Sequence, residues 1–123
     1  MTNKAALLTL TAVLAFGLSA CGSTPPPTSQ IAKVESALQA AELAGARQYA
    51  PIELRAAEAS KARLDRAIAE EEYEQAASLA EEARADAELA KATAEAEKAS
   101  VALKESQDNI DTMVREVGRA QGQ

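Results

Sequence analysis

Cys21 is the one cysteine of a chain that contains no histidine. A lone thiol can do little by itself. It cannot close an intrachain disulfide, and no second thiol or imidazole is present to build a zinc-type site with it. No imidazole is available to activate a nucleophile. The remaining reactive groups are carboxylates and hydroxyls. Glu70, Glu71 and Glu72 stand together, but three consecutive helical residues point in different directions and do not converge on a cation. The serines are scattered, with no base at a useful spacing. The chain is therefore expected to be no enzyme, and no catalytic, cofactor-binding or metal-binding residue is assigned.

The segment leading to Cys21 is short and apolar. Met1-Thr2-Asn3-Lys4 carries one positive charge, and Ala5 to Leu18 follows without a charged residue. That length suits the hydrophobic region of a signal peptide and is short for a membrane-spanning helix, which needs about 20 apolar residues. Leu18-Ser19-Ala20-Cys21 ends the run. This tetrapeptide resembles the lipobox of bacterial lipoprotein precursors. The resemblance implies that the Cys21 thiol takes a diacylglyceryl group and that a peptidase cuts between Ala20 and Cys21. In many Gram-negative bacteria the new amine is then acylated, commonly with palmitate. One acyl chain binds marginally, at about 0.8 kcal/mol per buried methylene, whereas two or three hold firmly. In such lipoproteins an aspartate after the cysteine retains the protein at the inner membrane. Gly22 stands there instead, which implies the outer membrane, facing the periplasm. The competing readings are an uncleaved anchor and a cysteine buried in a core. The uncharged run before Cys21 and the prolines after it leave no core for the latter.

Acidic residues number 19 against 13 basic ones, a net charge of −6. Lys4 is the only charged residue before Cys21, so loss of the leader leaves −7. Such a surface repels phosphate backbones and anionic headgroups, and nucleic acid is not an expected partner. The 123 residues make one small domain at most. Beyond Phe16 the aromatic residues are Tyr49 and Tyr73, while alanine occurs 31 times. Alanine favours helix but buries little area, so thin helical packing is expected.

Gly22 to Thr28, with Pro25-Pro26-Pro27, reads as a polyproline tether. At about 3.1 Å per residue it spans roughly 20 Å. From Ser29 the chain reads as helix, capped by Thr28 or Ser29. Ile31, Val34, Leu38 and Ala41 recur at helical spacing. Gly45 and Pro51 interrupt the helix, and Pro51 suits the first turn of a new one. Leu54, Ala57, Leu64 and Ile68 continue a stripe that includes Lys61, whose stem can lie along the seam. A tight turn is expected at Glu70 to Tyr73.

The third helix carries a heptad repeat: Tyr73, Ala80, Ala87, Ala94 and Val101 in one position, Ala76, Ala83 and Ala90 in another. Glu81/Arg84, Glu88/Lys91 and Glu95/Lys98 read as solvent-face ion pairs of a few tenths of a kcal/mol each. A second stripe overlaps, formed by Leu89, Ala96, Leu103, Ile110 and Val117 and flanked by Val114. The helix is expected to end near Val117, before Gly118, leaving residues 119–123 frayed.

Residues 29–70 and 73–117 form two arms of about 65 Å each. The matched lengths predict an all-α fold: one long antiparallel hairpin, kinked near residues 45–51. It pairs Leu64 with Leu79, Leu54 with Leu89, Leu43 with Val101 and Val34 with Ile110, and brings Ile31 to Met113 and Val114. The alternative is a three-helix arrangement in which helix one folds back and the third helix overhangs. Then Leu103, Ile110, Val114 and Val117 stand exposed as a partner stripe. The domain plan is a signal peptide over 1–20, a lipidated tether over 21–28, a helical domain over 29–118 and a tail.

The stretch from Ala44 through Tyr49-Ala50-Pro51 to Leu54, and Tyr73-Glu74-Gln75-Ala76 followed by Leu79 to Ala87, resemble an uncharacterised family of small bacterial lipoproteins, the domain of unknown function 4398. The resemblance covers residues 30 to 105. Related domains also precede peptidoglycan-binding domains, which implies a place in the cell envelope. The family brings no enzymatic residues. Tyr49-Ala50-Pro51 reads as a helix break with an aromatic wedge, or alternatively as a docking surface.

The expected function is therefore that of a lipid-anchored envelope protein, structural or adaptor in kind. Its expected partners are membrane lipid through acylated Cys21, and a second copy or another envelope protein through helix contacts. The alternative is a periplasmic module that binds a protein partner or assists peptidoglycan-associated proteins. Glu70 to Ala76 resembles the turn of a tetratricopeptide helix pair, but one pair makes no peptide groove. A covalent wall tether like the major murein lipoprotein ends in lysine, whereas this chain ends in Gln123.

Overall fold

The computed structural model describes residues 25–122. The signal peptide expected over 1–20, the cleavage and lipidation expected at Ala20 and Cys21, and residues 22–24 of the expected tether lie outside the described residues. Within them are four helices and no strand: α1 (Thr28–Ala44), α2 (Ala46–Tyr49), α3 (Pro51–Ala69) and α4 (Tyr73–Gln121). The fold is all-α.

The helix boundaries follow from a few residues. Pro27, not Thr28 or Ser29, occupies the cap position of α1, and no side chain caps it. The Ile31 N–H donates to the Pro27 carbonyl at 3.0 Å, and the Ser29 hydroxyl turns to Gln30 instead. Proline's fixed φ feeds the chain into the helix one residue early. Gly45 ends α1 at φ 92°, its N–H reaching the carbonyls of Ala41 and Glu42. The left-handed conformation favours glycine, and a Cβ there would stand 3.2 Å from the half-buried Tyr49 ring, which would have to give by a few tenths of an ångström. Ala50, held out of helical angles ahead of Pro51 at φ −141° and ψ 52°, separates α2 from α3, and Pro51 opens α3.

The turn at Glu70 to Glu72 falls where the sequence places it. The Glu72 N–H donates to the Ala67 carbonyl at 2.9 Å and the Glu71 N–H to that of Ile68 at 3.1 Å. This is a Schellman closure, with Glu71 as the left-handed residue at φ 59°. Glutamate bears a Cβ penalty in that region that glycine escapes. The Glu71→Gly chain should therefore be more stable, by up to about 1 kcal/mol. Urea denaturation followed by circular dichroism measures this, and an unchanged or lower midpoint contradicts it.

The hairpin expectation holds for α3 against α4 in direction and for Leu64 with Leu79. Leu54, however, meets Ala90 and Ala94, while Leu89 faces outward, 56% exposed. For α1 the expectation fails. One buried cluster joins Val34 to Leu64, Ala67, Ala76, Ala80 and Ala83, with Ile31, Leu38, Ile68 and Leu79 packed against it. A second joins Ala41, Ala46, Ala50 and Leu54 to Ala90 and Ala94, with Tyr49 packed on it. Helix α1 thus folds back antiparallel to α3 and runs parallel to α4. Val34 meets Leu64 and Ala80, not Ile110. Leu43 does not meet Val101; it is 81% exposed at the corner. The segment 45–50 is a full reversal rather than a kink in a straight arm.

The reason lies in α4. Its inward face presents Ala76, Ala80, Ala83, Ala87, Ala90 and Ala94, each at most 1% exposed. Side chains this small let two helices approach the same face closely. Beyond Ala94 that face continues as Glu97, Val101, Lys104, Asp108 and Asp111. A long arm laid there would bury charges without partners. From Glu95 to Gly122 every residue is exposed. Residues 95–121, about 40 Å of helix, therefore project alone past the bundle. Gly118 does not end α4, which continues through it to Gln121. Gly118 keeps a negative φ with open space around it, so it weakens the helix without terminating it.

Candidate interaction surface

Helix α4 carries two seams on opposite faces. At about 100° per residue, Ala80, Ala83, Ala87 and Ala94 lie roughly 180° from Leu103 and Ile110. The inner seam is covered by α1 and α3. The outer seam begins within the bundle at Leu89 and runs to the tip. Its exposed members range from 54% at Val117 to 65% at Val114, with Leu103, Ile110 and Met113 between. All four residues expected as a partner stripe, Leu103, Ile110, Val114 and Val117, stand together on this one exposed face.

The sequence reading found one row of this seam: Leu89, Ala96, Leu103, Ile110 and Val117. It missed the second: Ala92, Ala99, Ser106, Met113 and Ala120. Interleaved, the rows alternate spacings of three and four without a break. The signal was present, but alanines and a serine carry little hydrophobic weight. Leu43 and Ile52 are also exposed; they sit apart, at the corner around Tyr49-Ala50-Pro51. Tyr49 itself packs half-buried against the second cluster, as a wedge in a helix break does.

Polar contacts fasten the bundle behind this surface. Ser60, 2% exposed, is the buried polar residue of the core. Its hydroxyl donates to the Asp86 carboxylate at 2.6 Å and accepts from Arg63 at 2.9 Å. Arg63 also pairs with Glu82 at 2.7 Å. The Arg63 guanidinium is held above its ordinary range, chiefly by its hydrogen bond to Glu82, and Arg84 likewise by Glu81 and Glu88. Both are fixed cations with no proton to exchange near neutrality. Arg84 binds Glu81 at 2.9 Å and also reaches Glu88. Lys91 turns forward to Glu95 at 3.7 Å, not back to Glu88. Ser60→Ala should cost about 1 kcal/mol, because Asp86 loses a donor it can partly replace with water. A denaturation midpoint that does not move would contradict that role for the bond.

Among the described residues no group of His, Cys, Asp or Glu is placed to hold a metal ion. No described helix is long and apolar enough to cross a membrane. The groove between α1 and α4, with Ala37 and Ala40 along it, is walled by the Arg84 ion pairs.

Residues 29–106 match the family model described as "Domain of unknown function (DUF4398)". No curated protein and no solved structure matches the chain. The matched region takes in the whole bundle and stops partway along the overhang, before Ile110, Met113 and Val117. With more than half of its length inside that match, the chain belongs to the DUF4398 family.

Proposed function

We propose that this protein is a lipid-anchored cell-envelope adaptor that holds a helical docking seam away from its membrane. The outer seam of α4 carries the reading: large apolar side chains aligned on one face of a helix that its own chain leaves uncovered. The placement of the ends supports it. Ile31, near the start of α1, packs with Ile68 and Leu79 beside the turn. The tether therefore leaves the bundle at the turn end, and the overhang points the opposite way. An acylated Cys21 in the outer membrane would set the base of the bundle toward the lipid. The seam would then extend about 40 Å beyond the bundle into the periplasm. The role is mechanical: the residues bind and space, and another molecule supplies any chemistry.

A photoreactive residue placed at Leu103 of the full chain in intact cells tests this. A crosslinked adduct should form at Leu103, should be absent at Lys104, and should weaken sharply with Cys21→Ser. No adduct from Leu103, or equal adducts from both positions, would refute the reading.

A further inference from the structure

We propose that the occupant of the outer seam is the same seam of a second copy of this chain, with the two α4 helices side by side and parallel. This rests on the overhang being a helix-docking surface, and it names the partner. Four observations converge on it.

The first is length. From Leu89 to Ala120 the alternating spacing is unbroken over more than four heptads, above the three to four that sustain a coiled coil. The second is access. Because α1 and α3 cover the opposite face of α4, two copies can meet along this one without their bundles colliding. The third is charge at the edges of the seam. One edge presents Glu95, Ala102, Asn109 and Glu116; the other presents Ser100, Gln107, Val114 and Gln121. Parallel pairing sets unlike edges together, so Glu95 meets Ser100 and Glu116 meets Gln121, with no like charges in contact. Antiparallel pairing over the whole seam sets like edges together and brings Glu95 against Glu116 at both ends. Branched Ile110 and Val117 in the first row also suit two parallel strands.

The fourth is area. The seam is about 48 Å long on a helix about 10 Å across. It thus offers roughly 500 Å² per copy, or about 1,000 Å² across the pair, at the lower bound of a specific interface. The pairing is reversible rather than permanent, and concentrating the chains on one membrane surface favours it.

Cysteine pairing in the full chain, expressed in cells and treated with copper–phenanthroline as oxidant, tests the proposal. A disulfide needs Cα atoms within about 4.4–6.8 Å, which a parallel pair provides at equal heights along the seam. Ala99→Cys and Met113→Cys should each give disulfide-linked homodimers, about tenfold more than Asp108→Cys on the opposite face. The unaltered chain measures any background from Cys21. Homodimer only when Ala99→Cys and Met113→Cys chains are mixed would overturn the parallel arrangement. Background at both positions, with an adduct to another protein at Leu103, would overturn self-pairing and leave the docking surface standing. Background at both positions with no adduct at Leu103 would overturn the two together.

Discussion

An Ala83→Leu chain should lose much of its folded structure, while Ala92→Leu on the same helix should be nearly silent. Ala83 is fully buried where α4 meets Val34 and Leu64. Extra methylenes in a packed core cost about 1–3 kcal/mol. The alanine seam sits at the demanding end of that range, since both facing helices would have to move outward. Small domains have little stability in reserve, on the order of 5 kcal/mol. Each kcal/mol lowers the melting temperature by about 4–8 °C at this size. Ala92 lies in the outer seam and is exposed. In the single chain at low concentration leucine there meets solvent, and its helix propensity is close to that of alanine. Thermal melts followed by circular dichroism separate the two chains. Equal losses would mean that the faces of α4 are assigned wrongly.

The complementary change should spare the fold and remove the docking. Leu103→Asp combined with Ile110→Asp touches no buried residue, since both side chains are more than half exposed. The melting of the bundle should stay within about 0.5 kcal/mol of the parent. Association along the seam should collapse. Each apolar side chain of this kind contributes about 1.5–3 kcal/mol when buried, and a pair of copies loses both residues twice. The expected fall in self-association is at least about a thousandfold. Sedimentation of the two chains at matched concentrations reads this directly, and unchanged association would remove the seam from the interface.

Much of this molecule is legible in its sequence. Gly45, Pro51 and the Glu70 to Tyr73 turn mark the breaks because each has a local physical cause. The outer stripe shows because Leu103, Ile110 and Val117 recur every seven residues. The path of α1 is not legible from apolar spacing alone: Val34 fits Ile110 in a long hairpin as well as it fits Leu64 in a bundle. What decides is the other face of α4, where Lys104, Asp108 and Asp111 occupy the positions that alanines fill closer to the turn. Ser60 escapes notice for a similar reason. The stripe of α3 reads as though Lys61 and Ile68 lay at its centre, but with Leu54, Ala57 and Leu64 buried as expected the remaining core positions fall one residue earlier, at Ser60 and Ala67. Ser60 is buried, and Lys61 sits at the flank bound to Asp65 at 2.7 Å. The start and end of the helices escape because Pro27, buried at the foot of α1, takes the cap position itself, while Gly118 stands in open space where nothing enforces a stop.

The central claim is that α4 has an inner face that folds this chain and an outer face that meets another helix. Amide hydrogen exchange across α4, followed as a function of protein concentration in detergent, tests it most directly. Residues 76–94 should be protected at every concentration. Residues 99–117 should exchange fast when dilute and slow as the concentration rises. Protection of residues 99–117 equal to that of the bundle in dilute solution would mean that the chain covers its own seam. Fast exchange there at every concentration would mean that no second copy does.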